Sequence, residues 1–180
     1  SAATGIERFM ALLTLAILGN AIIAVNAMSL TERMKLADEV FAHQPNVLAS
    51  VVVLPRMGAS MAQIDVPVHI MLVAWQAMKT SGHTWPVISE DIQEICLQRL
   101  TARARFAEGL AEPLQQQATQ QYTDGHAEQN LLAFAFGYLG ENDLLGVRTE
   151  AEKYVLLAAL NIAECIAFVS AQARPAPATR

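Results

Sequence analysis

Residues 9–30 read FMALLTLAILGNAIIAVNAMSL and contain no charged side chain. Written as one α-helix, this stretch is about 33 Å long, which is close to the hydrocarbon thickness of a bilayer. Its polar members are Thr14, Asn20, Asn26 and Ser29. They do not gather on one side of such a helix, so no face of it is suited to bulk water. We therefore predict that the helix is covered all round, either by lipid or by other helices.

Two features of the stretch bear on that choice. A stripe of mostly small side chains lets a neighbouring backbone come close in either environment, and it comprises Ala16, Asn20, Ala24 and Ala27. The Asn20 and Asn26 amides need hydrogen-bond partners once buried, which counts against an isolated membrane span. The stretch is longer than the core of a usual signal peptide, so we do not expect cleavage after it. We place it at the centre of a helical bundle, with a bilayer span as the alternative.

The composition excludes several classes of protein. The chain has 180 residues, of which 53% are apolar and 16% charged, and its formal net charge is −5. Disordered chains are poor in apolar residues and rich in charge, so this chain is expected to fold. It lacks the surplus of Lys and Arg that phosphate binding requires, so we expect no nucleic-acid partner. Its two cysteines are too few for the disulfide framework of a small secreted protein.

Charge and methionine are unevenly distributed along the chain. Residues 1–88 hold five acidic and five basic side chains and all seven methionines, whereas residues 89–173 carry the excess of acid. Residues 174–180 predict an irregular tail. We expect one helical domain over residues 1–180. Its apolar, Met-rich half 1–88 then supplies either the centre of the fold or a surface that meets a membrane or another protein.

Caps and breaks predict further helices in the first half. Ser29 and Glu32 form a capping box that opens a helix over residues 30–43. Residues 47–54 (VLASVVVL) are rich in β-branched side chains, but no second strand is evident nearby. We interpret them as a buried helix, with a strand paired to a partner chain as the alternative. Asp65 is expected to cap the next helix, with Pro67 in its first turn.

Four more helices are predicted in the acidic half. Ser89 caps the first of them and Gly109 ends it. The others are expected to open at Pro113, at residue 126 and at a capping box over residues 149–152, and the last runs to about residue 173. The sum is six to eight helices and no credible sheet. The predicted fold class is therefore all-α, a helical bundle around an apolar helix near the N-terminus.

Metal-binding patterns are scarce in the sequence. The chain has neither the Glu-x-x-His pairs of a di-iron bundle nor the His-Glu-x-x-His of a zinc helix. Asp124, His126 and Glu128 form the best local cluster that could ligate a divalent ion. These ligands are too few without a second cluster, so we expect a turn with solvated side chains there. We expect no metal and no other cofactor.

Groups for covalent catalysis are also lacking. There is no Gly-x-Ser-x-Gly elbow, and Cys96 and Cys165 lie mid-helix among apolar neighbours, as inert free thiols do. Glu164 is the only charge from residue 154 to residue 173. We expect it to face water, and the alternative is a buried carboxylate with a raised pKa. His69 is expected to be a core histidine.

Arg99, Arg103 and Arg105 are the only basic cluster. Arg99 and Arg103 are one helical turn apart and could bind a phosphate or an acidic partner. We expect instead that the cluster serves the helix end and pairs with neighbouring carboxylates. The glycine-rich loops that bind nucleotides are absent from the sequence.

The lack of a catalytic constellation and the Met-rich half together predict a non-enzymatic protein that works by contact, as an adaptor, chaperone or complex subunit. Its expected partner is another protein or a second copy of the chain, in the cytoplasm. The candidate contact residues are Met57, Met61, His83 and Trp85. One alternative is a subunit anchored in a membrane through residues 9–30. Another is a helical enzyme or a small-ligand- or metal-binding protein whose pocket between helices uses Glu164, His69 or His126.

Overall fold

The computed structural model describes residues 10–178, which form an all-α bundle with almost no strand. This fold class confirms the prediction. Eight α-helices lie within the described residues: α1 (Leu15–Ala27), α2 (Leu30–His43), α3 (Pro45–Val52), α4 (Met61–Thr80), α5 (Glu90–Glu108), α6 (Glu112–Asp124), α7 (Gln129–Glu141) and α8 (Glu150–Ser170). A 3₁₀ turn (Leu54–Met57) follows α3. Two short strands complete the list: β1 (His83–Thr84) and β2 (Arg174–Pro175).

The centre of the bundle is formed by α4 and α8. Helix α4 packs on α1, α2, α3, α7 and α8, and α8 packs on α5 and α7 as well. Both helices are long and bury most of their apolar side chains, such as Ile70 and Val73 in α4 and Ala163 and Ile166 in α8. The prediction that the central apolar helix lies near the N-terminus is therefore wrong, because the long apolar helix is α8, near the C-terminal end.

The uncharged stretch forms a shorter helix than predicted. Thr14 caps α1 by accepting a hydrogen bond from the Ile17 N–H, and the backbone turns extended at Met28 before the next capping box. At 1.5 Å per residue, the 13 residues of α1 span about 20 Å, well short of a bilayer core. Leu18, Ala21 and Val25 of α1 are buried, but its opposite side is exposed. Phe9 lies outside the described residues.

Most helix boundaries follow their caps. The Ser29–Glu32 capping box and the Ser89 cap are present, as predicted. The buried helix predicted over residues 47–54 is α-helical only to Val52, and Val52 and Val53 are exposed. Helix α4 differs, because it starts at Met61 behind a capping box formed by Ser60 and Gln63. Asp65 is therefore not its cap. Pro67, predicted in the first turn, lies inside the helix, where it leaves one backbone carbonyl without its helical N–H.

The end of the chain is partly ordered against the loop after α4. The predicted irregular tail contains β2, which pairs antiparallel with β1 through His83 opposite Pro175 and Thr84 opposite Arg174. The Ala176 N–H also donates to the Gly82 carbonyl. Helix α8 accordingly ends at Ser170, a few residues before the predicted boundary. The tail thus covers the loop that contains Trp85.

Candidate functional site

A partly buried pair of ionisable side chains joins the turn between α6 and α7 to α8. His126 Nε2 lies 3.1 Å from Glu164 Oε1, and the two side chains are only 7% and 15% exposed. We expected Glu164 to face water, but the carboxylate lines a cleft formed by α5, the end of α6, the turn between α6 and α7, and α8. Burial raises the pKa of Glu164, although the charges of Arg103 and Arg99 oppose the rise.

The hydrogen bonds of His126 define its tautomer. The Glu128 N–H donates to His126 Nδ1 over 3.1 Å, so Nδ1 must be unprotonated. The proton of the neutral ring is therefore on Nε2, which donates to the Glu164 carboxylate. Burial lowers the pKa of His126, and the nearby Arg103 charge lowers it as well. The pair is a neutral imidazole that donates a hydrogen bond to a desolvated carboxyl group.

Glu128, considered from the sequence as a metal ligand, instead forms hydrogen bonds with the backbone of the segment before α1. Its carboxylate is fully buried and accepts hydrogen bonds from the Leu12 N–H (3.1 Å) and the Leu13 N–H (3.2 Å). Asn130 adds a hydrogen bond from its Nδ2 to the Leu13 carbonyl. The start of α7 thereby holds the segment that leads into α1. Burial raises the pKa of Glu128, against the lowering effect of the two N–H groups.

The Asp124, His126 and Glu128 cluster does not assemble as a ligand set. Asp124 is exposed and accepts a hydrogen bond from Gln120, while His126 and Glu128 serve the contacts above. We expected these last two side chains to be solvated, but the turn folds inward and buries them. In the part of the chain that the structure describes, no group of three His, Cys, Asp or Glu side chains could hold a metal ion.

Two arginines complete the walls of the cleft. The Arg103 guanidinium carbon lies 4.3 Å from the centre of the Tyr122 ring, and that of Arg99 lies 5.8 Å from the centre of the Phe168 ring. Such cation–π contacts hold both side chains in place. The cavity measures about 380 Å³. We call it the α5–α8 cleft; its main lining residues are Arg99, Arg103, Tyr122, His126, Glu164 and Phe168.

The chemistry available in the α5–α8 cleft is that of binding rather than of covalent catalysis. Cys96 reaches its wall, but it is buried, and burial raises the pKa of its thiol. Burial raises the pKa of Cys165 still more strongly. Both thiols therefore stay protonated at neutral pH, and a thiol is a poor nucleophile. Guanidinium groups, a carboxyl group and an imidazole remain as hydrogen-bonding and charged groups.

A second candidate site is an exposed apolar surface on the first two helices. Leu15 and Ile23 lie on the outer side of α1, and Leu30, Met34 and Phe41 lie on the outer side of α2. All five are well exposed, and Met10 precedes them in the same state. Surface clusters of large apolar side chains mark interaction sites in soluble proteins. We call these six residues the α1–α2 face.

The four predicted contact residues have different environments. Met61 is 73% exposed, and Met57 is partly exposed on the rim of an apolar cavity of about 500 Å³ between α3, α5 and α8. Trp85 packs against the core, and its indole N–H donates to the Met78 carbonyl and the Ser81 hydroxyl. His83 is partly buried in β1. Trp85 is thus placed to close the loop, while the two methionines are accessible.

The remaining sequence candidates are structural. His69 packs against Tyr138, with ring centres 4.5 Å apart, and against Phe134. Burial lowers its pKa, and the Arg33 charge lowers it further. This is the environment expected of a core histidine. The α1–α2 face could not be predicted from the sequence, because a purely apolar stretch does not reveal which of its sides neighbouring helices will cover.

Comparison with protein-family models, with curated proteins and with solved structures finds no match for this chain.

Proposed function

We propose that this chain is a non-enzymatic assembly protein that associates with a second copy of itself through the α1–α2 face. The observation that carries the proposal is the extent of exposed apolar surface there. Its six large side chains are each 60–76% exposed. An interface of standard size takes about 800 Å² from each partner, and large apolar side chains exposed to this degree can supply a substantial part of that area.

The spacing of these side chains places the exposed apolar residues of each helix on one side of that helix. Leu30, Met34 and Phe41 are spaced by four and seven residues, so they share one side of α2. Leu15 and Ile23 are eight residues apart and lie within a quarter turn of each other on α1. Both helices pack on α4 and are joined by only two residues. Two apolar helix sides that follow each other in the chain and are both supported by α4 can dock against the same pair in another chain.

A second copy fits this face better than a charged partner would. Helix α1 contains no charged residue, so the α1 part of the face meets no like charge from α1 of a second copy. An apolar face also pairs well with itself across a two-fold axis, since each contact is then made twice. A membrane surface is the competing occupant. The helix α1 is too short to cross a bilayer, and α2 carries both signs of charge, without the basic excess that attracts anionic lipid.

The test is the mass of the protein in solution, measured by sedimentation equilibrium over a range of concentrations. We expect the wild-type chain to approach about 39 kDa, twice the 19.5 kDa of one chain. Phe41→Glu and Met34→Glu place a charge in the contact and should give the monomer mass. The matched control is Phe106→Glu on α5, because Phe106 is exposed to a similar degree (72%, against 66% for Phe41) and lies outside the α1–α2 face.

Two results would contradict the proposal. One is a wild-type mass of 19.5 kDa at every concentration up to about 1 mM, which would leave no useful affinity between copies. The other is a monomer that sediments with neutral phosphatidylcholine vesicles and is released by Phe41→Glu. That second result would assign the α1–α2 face to a lipid surface.

A further inference from the structure

The guanidinium groups of Arg99 and Arg103 form no close ion pair with any residue that the structure describes. Within residues 10–178, neither has a carboxylate oxygen within 4.0 Å. The pairing with neighbouring carboxylates expected from the sequence is therefore not formed. Arg148, by contrast, binds both Asp143 and Glu152 at 3.0 Å. Arg99 and Arg103 line the same cavity as Glu164 but form no close ion pair with it, so their guanidinium N–H groups remain available to an anion.

Their arrangement on α5 suits a single small anion. Arg99 and Arg103 are four residues apart, so they project from neighbouring turns of one helix side. The Arg99 guanidinium lies over the Phe168 ring, and that of Arg103 lies over the Tyr122 ring. This support limits the rotamer freedom that an arginine would otherwise lose on binding. Both guanidinium groups can therefore donate to one oxyanion at a low entropic cost.

The remaining walls of the cleft accommodate an organic body. The volume of the α5–α8 cleft, about 380 Å³, falls at the lower end of the range of small-molecule sites and is larger than a bare phosphate or carboxylate would occupy. Ala127, Ala167 and Phe168 contribute apolar surface beside the charged groups. Glu164 and the His126 ring form the polar side opposite α5. The cleft thus combines two cationic side chains with a few apolar ones, in a space large enough for one aromatic ring or a short chain.

We propose that the α5–α8 cleft binds a small organic molecule that carries an oxyanion group, either a carboxylate or a phosphate, with Arg99 and Arg103 as the residues that bind the anion. This site is separate from the α1–α2 face and does not depend on self-association. The apolar part of the ligand lies against Phe168 and Tyr122. Glu164 is the residue that discriminates, because its charge opposes the anion unless the carboxyl group carries a proton.

This role of Glu164 gives the site a pH dependence of known sign. The ionisable groups that line the cleft are Cys96, Arg99, Arg103, Tyr122, His126 and Glu164. Since burial raises the pKa of Glu164, the carboxyl group takes up a proton more readily than an exposed one. A bound anion adds negative charge beside it and favours the protonated form further. Binding is therefore accompanied by proton uptake at Glu164, and the affinity increases as the pH falls toward the raised pKa of this carboxyl group.

The test is isothermal titration calorimetry of the full chain with phenyl phosphate and with benzoate, using benzyl alcohol as the uncharged analogue. We expect at least one of the two anions to bind and benzyl alcohol to bind at least about tenfold more weakly. Arg99→Gln and Arg103→Gln should each weaken the anion by about tenfold. Arg105→Gln is the matched control, because Arg105 lies on the same helix but not in the cleft. Preference for phenyl phosphate or for benzoate identifies which oxyanion the site takes.

Glu164→Gln provides a second readout that loss of structure would not imitate. It removes the negative charge and keeps the size of the side chain, so the anion should bind at pH 8 at least as tightly as to the wild type. Its affinity should also change less between pH 8 and pH 6. The proposal is overturned if neither anion binds at millimolar concentration, if benzyl alcohol binds as well as the anions, or if Arg105→Gln weakens binding as much as Arg103→Gln does.

Discussion

Glu128 is the residue whose role depends most completely on the tertiary structure. A carboxylate with no exposed surface is costly to keep, and the cost is met here by two backbone N–H groups from a segment more than a hundred residues earlier. The same residue donates its own N–H to His126. One side chain thus fixes the entry into α1, while its backbone sets the tautomer of the ring in the α5–α8 cleft.

Glu128→Gln is expected to lower the free energy of unfolding by about 2 kcal/mol at pH 7. Glutamine has one acceptor oxygen, so one of the two N–H groups of Leu12 and Leu13 is left facing an amide NH₂. Urea denaturation followed by circular dichroism measures the loss. Asp124→Asn is the control, because its exposed side chain should change stability by less than about 0.5 kcal/mol. Equal stability of the two variants would mean that the contact with the N-terminal segment contributes nothing.

His69 should make the fold less stable in mild acid. Burial lowers its pKa in the folded chain, whereas in the unfolded chain the pKa is about 6.5. The unfolded state therefore binds more protons, and the contribution of His69 to stability is lost as the pH falls below about 6.5. His69→Phe should remove this loss. The free energy of unfolding of the variant, relative to that of the wild type, should therefore increase as the pH falls from 7.5 to 5.

Glu128 and Glu164 affect stability in the opposite sense to His69, but they are present in both the wild type and the His69→Phe variant. Their contributions cancel in the difference between the two pH profiles, which therefore reports on His69. Burial raises the pKa of those carboxyl groups, so their ionisation costs the fold more as the pH rises. Ring-proton titration by NMR provides an independent check. A His69 resonance that titrates above pH 6.5 in the folded protein would refute the assignment.

At the scale of elements, the start of α4 is determined by its cap. Ser60 accepts from the Gln63 N–H, and the Gln63 side chain accepts from the Ser60 N–H. Ser60→Ala should lower the free energy of unfolding by about 1 kcal/mol. Asp65→Ala is the matched comparison, since Asp65 is exposed inside the helix and should matter by less than about 0.5 kcal/mol. Thermal unfolding of both variants measures the difference; a larger effect at Asp65 would restore the cap predicted from the sequence.

The elements that could be predicted from the sequence are those whose signals are local. A serine followed three residues later by a glutamate marks the start of α2 whatever surrounds it. The Ser89 side chain, which caps the first turn, marks the start of α5. The extent and position of α1 could not be predicted in this way. Hydropathy states which side chains avoid water, but the packing of α4 decides which of them are covered.

The candidate site shows the same division. Arg99, Arg103, His126 and Glu164 each stand out in the sequence by charge or by context. Their meeting in one cleft depends on how α5 and the α6–α7 turn pack against α8, and His126 and Glu164 are 38 residues apart in the chain. The burial of Glu128 could not be predicted from the sequence either, because its partners are the N–H groups of a distant, non-helical segment.

At the scale of the whole molecule, the apolar first half and the acidic second half of the chain both contribute to the centre of the bundle. Helices α4 and α8 come from different halves and together form the centre. The apolar surplus of the first half is therefore divided between this centre and the exposed α1–α2 face. A fold that places much apolar surface outside gains stability when that surface is covered, so assembly and folding should be linked.

This linkage predicts that thermal stability depends on protein concentration. A dimer that dissociates on unfolding gains stability by mass action, and for a chain of this size the midpoint should rise by about 2 °C for each tenfold increase in concentration. Differential scanning calorimetry over a hundredfold range measures the shift. Phe41→Glu should make the midpoint independent of concentration, because the monomer unfolds without dissociating. Phe106→Glu should retain the wild-type slope, and a wild-type midpoint that does not move would show that the folded chain draws no stability from a second copy.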